Sequence, residues 1–314
     1  MRIALAARRA ALLLSALLPL AVYADEHEMA QTGEAGADAP SWWGAVGVEA
    51  GAFLHGLEGS AVSSDIATAP IDALQPIQIR PPASGSENYV VPYIEGSLEL
   101  VGPAWIGGVR PFANASLGGE FSVSKDIAKE GTTGEFEIPP LFPGSTIATD
   151  ELEALVRGQG SRLTAQFESF YLTAGVGLSV PIETDAHSIR VKPSFRYMRD
   201  EVEAVGIVQR AVLKQNPPVP TALDDFRLIS MTASETRAFD SLGAGLEIDT
   251  DLSRKGRMVA SVFVAGAVYF LIGDKAFDIR ATNPDQPGEY ADFRLERDSV
   301  SYRLGIGVRL RFEP

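Results

Sequence analysis

The sequence predicts an all-β chain, a transmembrane antiparallel up-and-down β-barrel of eight strands. Three observations carry that expectation. The terminal segment SVSYRLGIGVRLRF places Val300, Tyr302, Leu304, Ile306, Val308, Leu310 and Phe312 on one face and Arg303, Gly305, Gly307, Arg309 and Arg311 on the other. A greasy face against a charged, glycine-bearing one at period two is the profile of a wall between lipid and a polar lumen. Second, an even number of such segments recurs. Third, the connections between them alternate in length, long on one rim and short on the other, a rhythm that a soluble sandwich has no reason to keep.

The elements follow in order. Arg2, Arg8 and Arg9 precede the apolar run 10–22, and small residues flank a cleavage position before Asp25, so residues 1–24 read as a secretory signal peptide too short to span a bilayer. Residues 25–41 are acidic, rich in alanine and glycine and without period, an N-terminal leader. The barrel is expected over 42–314. Its strands are placed at Trp43 to His55, Tyr89 to Val101, Val109 to Ser124, Leu163 to Val180, Ile189 to Arg199, Arg237 to Asp249, Met258 to Ile272 and Ser299 to Phe312. The seventh, MVASVFVAGAVYFLI, is apolar on both faces and too short for a spanning helix.

Connections after the first, third, fifth and seventh strands run to roughly 33, 38, 37 and 20 residues, and the others to about 8. Residues 150–157 carry helix-start signals, and 201–213 suits either a helix or the fifth strand continuing above the membrane; a hairpin within 201–236 would raise the count to ten. Pro92, Pro111 and Pro193 each remove a ladder donor. The first two suit strand ends, whereas Pro193 calls for a bulge.

Composition narrows the function. The formal charge is −14, and about −17 once the three signal-peptide arginines are subtracted, which disfavours nucleic acid as a partner. With no cysteine, neither disulfides nor thiolate chemistry is available. No phosphate-cradling glycine loop, zinc-ligand set or spaced calcium loop is present, so neither metal nor cofactor is expected.

Inward alternation places Glu49, Glu95, Glu99, Glu120 and Glu247 in one lumen with Arg190, Lys192, Arg196, Arg303, Arg309 and Arg311. Such a set is either a neutralised plug or the lining of a narrow solute path, and the near balance of acids and bases favours the plug. Aromatic residues are expected at the two lipid interfaces: Trp42, Trp43, Trp105 and Phe312 on the turn side, and Phe53, Tyr89, Phe121, Phe167, Tyr197, Phe239 and Phe270 on the loop side. Of three histidines, His55 is the one placed where an external lipid could reach it. With Glu58, Ser60 and Ser63 nearby it supports a lipid-modifying hydrolase only as a minor reading, so no catalytic residue is assigned.

The segments YLTAGVGLSVPI (171–182), DSLGAGLEIDTDLS (240–253) and SYRLGIGVRLRF (301–312) resemble the small outer-membrane barrels of Gram-negative bacteria, the group of the OmpA transmembrane domain, OmpX and the opacity adhesins. The likeness covers 42–314 and rests on alternation and glycine placement. It implies an outer-membrane barrel handled by the barrel-insertion machinery and carries little about activity. The expectation taken from the residues is a monomer among outer-membrane lipid and lipopolysaccharide, with a structural or surface-interaction role and no enzymatic one. The group ends on an aromatic residue, whereas Glu313 and Pro314 follow Phe312 here.

Overall fold

The computed structural model describes residues 41–63, 83–131, 160–183, 188–213 and 226–313. The expected signal peptide, nearly all of the leader and the helix expected at 150–157 lie outside these residues. Twelve strands are described: β1 (Trp43–Ser63), β2 (Ala83–Val101), β3 (Arg110–Glu120), β4 (Val123–Gly131), β5 (Gly160–Phe167), β6 (Phe170–Glu183), β7 (Ser188–Leu213), β8 (Phe226–Lys255), β9 (Met258–Ile272), β10 (Ala276–Asn283), β11 (Gln286–Arg297) and β12 (Val300–Phe312). All their ladders are antiparallel. In the half of the molecule that holds the short turns, the order β1-β2-β3-β6-β7-β8-β9-β12 closes when β12 pairs back to β1, from Gly44 opposite Phe312 to Leu54 opposite Tyr302. A closed ring leaves no edge strand, the condition for spanning lipid with β-structure.

Eight strands undercount the described chain because the described parts of the long connections are themselves largely ladder. The expected third strand breaks after Glu120 and becomes β3 and β4, and the fourth becomes β5 and β6. Residues 201–213 continue β7, paired with β8 as far as Leu213 opposite Phe226. β10 and β11 form a hairpin whose second strand, β11, pairs with the upper part of β1. On the loop side the wall thus separates into two four-stranded sheets, β10-β11-β1-β2 and β4-β5-β7-β8.

Pro193 needs no bulge. The β6–β7 ladder skips from Gly177 opposite Ser194 to Val180 opposite Val191 with its register kept, so the missing N–H falls in a gap. Pro92 lies just beyond the β2–β3 ladder and its carbonyl accepts from the Phe121 N–H at 2.9 Å. The turn between β2 and β3 uses Gly107 and Gly108 at φ +73° and +77°, a region that costs only glycine nothing.

Along each long strand the inward face changes character while its side stays the same. In β1, Ala45, Gly47, Glu49, Gly51 and Phe53 give way beyond His55 to Leu57 and Ala61, and the outward residues pass from Val46, Val48 and Leu54 to Glu58. β7 repeats this, from Arg190, Lys192 and Arg196 to Val202, Ala204 and Val208. The turn-side tier therefore has an apolar coat around a polar core, and the loop-side tier has a polar coat around an apolar core in which Leu57, Leu163, Ile229, Phe277, Phe293 and Leu295 meet.

The coat of the lower tier is a girdle of exposed Val48, Ile94, Val176, Phe195, Leu246, Val264, Leu304 and Ile306. On β12 it runs from Tyr302 to Phe312, ten residue steps that at ~3.3 Å rise and ~40° tilt span about 25 Å, the height of an outer-membrane apolar band. Among the described residues no helix is long and apolar enough to cross a membrane; the strands do so.

Candidate functional site: the charged lumen and the layer above it

The lumen is built in layers by residues that alternation turns inward. At the turn-side mouth Arg190 pairs with Asp249 at 2.6 Å and with Asp251, and Arg311 pairs with Asp251. The next layer joins Lys192 to Glu99 at 2.5 Å and to Glu247 at 3.2 Å, while Arg309 forks onto Glu247 at 2.5 and 2.9 Å. Arg196 donates to Ser194 at 3.1 Å. Above them Arg303 bridges Glu49, at 2.7 Å, and Glu95, and its Nε–H donates to the Tyr93 hydroxyl at 2.9 Å. Tyr93 in turn donates to Glu49, and Tyr171 to Glu95 at 2.9 Å.

Gly305 makes room for this layer. A Cβ there would lie 2.1 Å from a Glu49 oxygen and 2.3 Å from the Tyr93 hydroxyl. Buried charge is tolerated when paired and hydrogen-bonded, and acid–base pairs run through all three layers; Arg196, whose hydrogen bond goes to the Ser194 hydroxyl, has no acid within ion-pairing distance among the described residues.

Ten of the eleven expected lumen residues join this stack. Glu120 is buried too, but it stands one level higher, beside a group that alternation alone did not single out. There Arg297 forks onto Asp200 at 2.7 and 2.8 Å and donates to His55 Nδ1 at 3.0 Å. The His55 ring is held between Phe53, at 5.4 Å and 23°, and Phe167, at 4.9 Å and 10°. His55 is 2% exposed and points inward. That corrects the expectation of an external position: no lipid reaches it, because residue 55 is in phase with the lumen side of β1 and not with Leu54 on the coat.

His55, Glu120 and Asp200 bring ligand atoms within 4.8 Å of one another. They do not suit a cation. A guanidinium has no lone pair, so Nδ1 accepts from Arg297 and the proton of neutral imidazole sits on Nε2, leaving no free nitrogen lone pair for a metal. Arg297 also holds both Asp200 oxygens and supplies a positive charge at the centre. The cluster is a buried polar lock between tiers, with Ser169 donating to Glu120 at 3.4 Å.

The interface aromatics divide. Trp42, Trp105, Phe312, Phe121 and Phe270 are exposed on the coat, and Tyr197 faces outward with its hydroxyl on Asp240 at 2.5 Å. Trp43 instead turns inward under the Arg311 guanidinium, 5.5 Å from its ring. Tyr89, Phe53, Phe167 and Phe239 are interior as well; Tyr89 donates to the Lys125 carbonyl at 3.1 Å and packs on Phe167. An aromatic near a strand end reads alike on either face, and only its phase along the strand separates the two. Sequence reasoning missed Tyr93 and Tyr171, which donate to lumen acids, and Asp249 and Asp251, which continue the inward phase of Glu247.

No protein-family model matches the sequence, and no curated protein does. Among solved structures the chain is similar to a major outer membrane protein of Thermus thermophilus, with 13% identity, 86% of this chain and 99% of that one covered, and a TM-score of 0.32. It is also similar to the outer membrane protease OmpT of Escherichia coli, at 8% identity over 88% and 100% of the two chains with a TM-score of 0.29. For Ail, the attachment invasion locus protein of Yersinia pestis, the identity is 8%, the coverage 83% and 98% and the TM-score 0.24. The architecture stands on the chain's own ring of ladders and apolar girdle, which together make an outer-membrane β-barrel.

Proposed function

We propose that this chain is a closed, non-conducting barrel of the outer membrane with a structural or surface-interaction role and no enzymatic one, working as a monomer among outer-membrane lipid and lipopolysaccharide. The observation that carries the reading is the stack of charge pairs across the lumen, from Arg311 and Asp251 through Lys192, Glu99, Glu247 and Arg309 to Arg303, Glu49 and Glu95. An eight-stranded ring is wide enough only for side chains, and here acids and bases that pair with one another fill it. The apolar core above it adds a second seal. The loop-side sheets support the surface role, since they hold a charged exterior in fixed register, with Arg280 on Asp292 at 2.6 Å and Arg294 on Asp278 at 3.3 Å.

The decisive experiment is reconstitution of the purified barrel in a planar bilayer. Silence across a wide voltage range is the expected result. Discrete single-channel steps that scale with salt concentration would replace this reading by the narrow-channel one.

A further inference from the structure

At the turn-side mouth the lumen opens into a cup of about 330 Å³ lined by Arg110, Ser179, Ser188, Arg190, Arg311 and the acid Glu313 among others. Three guanidiniums in one cup are unexpected in a chain of net charge −14. The acids near them are shared. Asp251 serves both Arg190 and Arg311, Asp249 serves Arg190 and Arg309, and Glu313 serves Arg311 and Arg254. Arg110 has no acid within ion-pairing distance among the described residues; its donors reach only the carbonyls of Gly102 at 3.2 Å and Ser41 at 3.4 Å. Arg311, 1% exposed, has a buried Nε–H with no acceptor.

We infer that this cup is a binding site for a phosphate group. Guanidinium forks match the oxygens of a phosphate in pairs, and three of them around one centre suit an anion with three or more peripheral oxygens. The hydroxyls of Ser179 and Ser188 line the same space. Exposed Trp42 adjoins Ser41 of the cup, and exposed Trp105 lies in the β2–β3 connection that carries Gly108, so the cup stands at the turn-side end, where aromatic residues mark headgroup depth. The phosphate comes either from a lipid headgroup or from a soluble phosphate of the compartment below. Arg110 opens β3 at the wall of the cup, opposite Ser179 of β6, and Gly108 of the preceding turn lies against Pro181, whose ring an added Cβ would approach to 3.2 Å.

The test is calorimetric titration of inorganic phosphate into the folded barrel in dodecyl maltoside at low salt. Saturable binding is expected. Arg110→Gln removes a guanidinium that the lumen pairs do not use, and it weakens binding about tenfold or more, the loss expected for a charge-assisted contact. R280Q, on the outer hairpin, leaves binding unchanged, and heat-dependent gel mobility confirms that both variants fold. Competition by micellar phosphatidylglycerol, but not by diacylglycerol, assigns the site to headgroups, and phosphate binding without that competition assigns it to a soluble ligand. Absence of saturable binding of either probe, or equal affinity in R110Q, overturns the proposal.

Discussion

Arg303 shows how much one lumen residue carries. It is 3% exposed, bridges Glu49 and Glu95 and donates to Tyr93, so Arg303→Met leaves two carboxylates buried without their cation. Breaking a buried pair from one side costs about 3–5 kcal/mol, and the variant's unfolding midpoint in detergent should fall accordingly. Lys275→Gln is the contrast. Its partner Glu296 stands on the outer hairpin, where the hydrogen bond from Lys275 and then its charge hold the carboxyl below its ordinary value. A depressed acid stabilises the fold above its unfolded pKa, and the gain disappears as pH falls through the folded one. Both groups lie at the surface in contact with solvent, so the pair is screened and K275Q should leave the midpoint unmoved. A drop in K275Q as large as in R303M would mean that burial does not set the value of these pairs. Arg303 was legible because alternation alone turns it inward. Tyr93 was not, since a tyrosine at a strand position is equally at home in a core, at an interface or on an acid.

At the scale of elements, alternation located the membrane strands because both faces there have a sharp polarity contrast. It lost the upper strands for a physical reason. Where β7 passes from Asp200 to Val202 and Ala204 the contrast inverts, and alternating glutamates and valines suit a helix surface as readily as a strand. β4, β5 and β10 run to only eight or nine residues, and the partners of β4 and β5 lie far along the chain. The consequence is measurable. If 201–209 were loop, its amides would exchange with solvent within seconds. As a strand paired on both sides, with β5 and β8, the backbone of Glu203 to Val208 should exchange slowly, at rates close to those of the β7 residues in the girdle. Rapid exchange confined to the segment beyond Asp200 would refute the two-sheet extension.

For the whole molecule the question is whether two tiers with opposite cores fold as one body. β1, β2, β7 and β8 run unbroken through both, and the Arg297, Asp200 and His55 lock sits where the cores meet, so the ladders and the lock should transmit a defect from one tier to the other. Phe293 provides the probe. It is fully buried in the upper core, lies opposite Ala61 of β1, and presses its ring on Gly206, where an added Cβ would come within 2.4 Å of it. Phe293→Ala removes about 3–5 kcal/mol of packing from the loop-side tier. All three tryptophans of the chain, Trp42, Trp43 and Trp105, stand at the opposite end near the turns, so their fluorescence reports the lower tier alone. If the tiers unfold together, F293A shifts the tryptophan transition to lower denaturant by the same amount as the far-ultraviolet transition of the whole sheet. If they are separable, the tryptophan curve stays where it is in the unsubstituted protein while a second, earlier step appears in the backbone signal, and the polar lock between the cores is then a boundary instead of a joint.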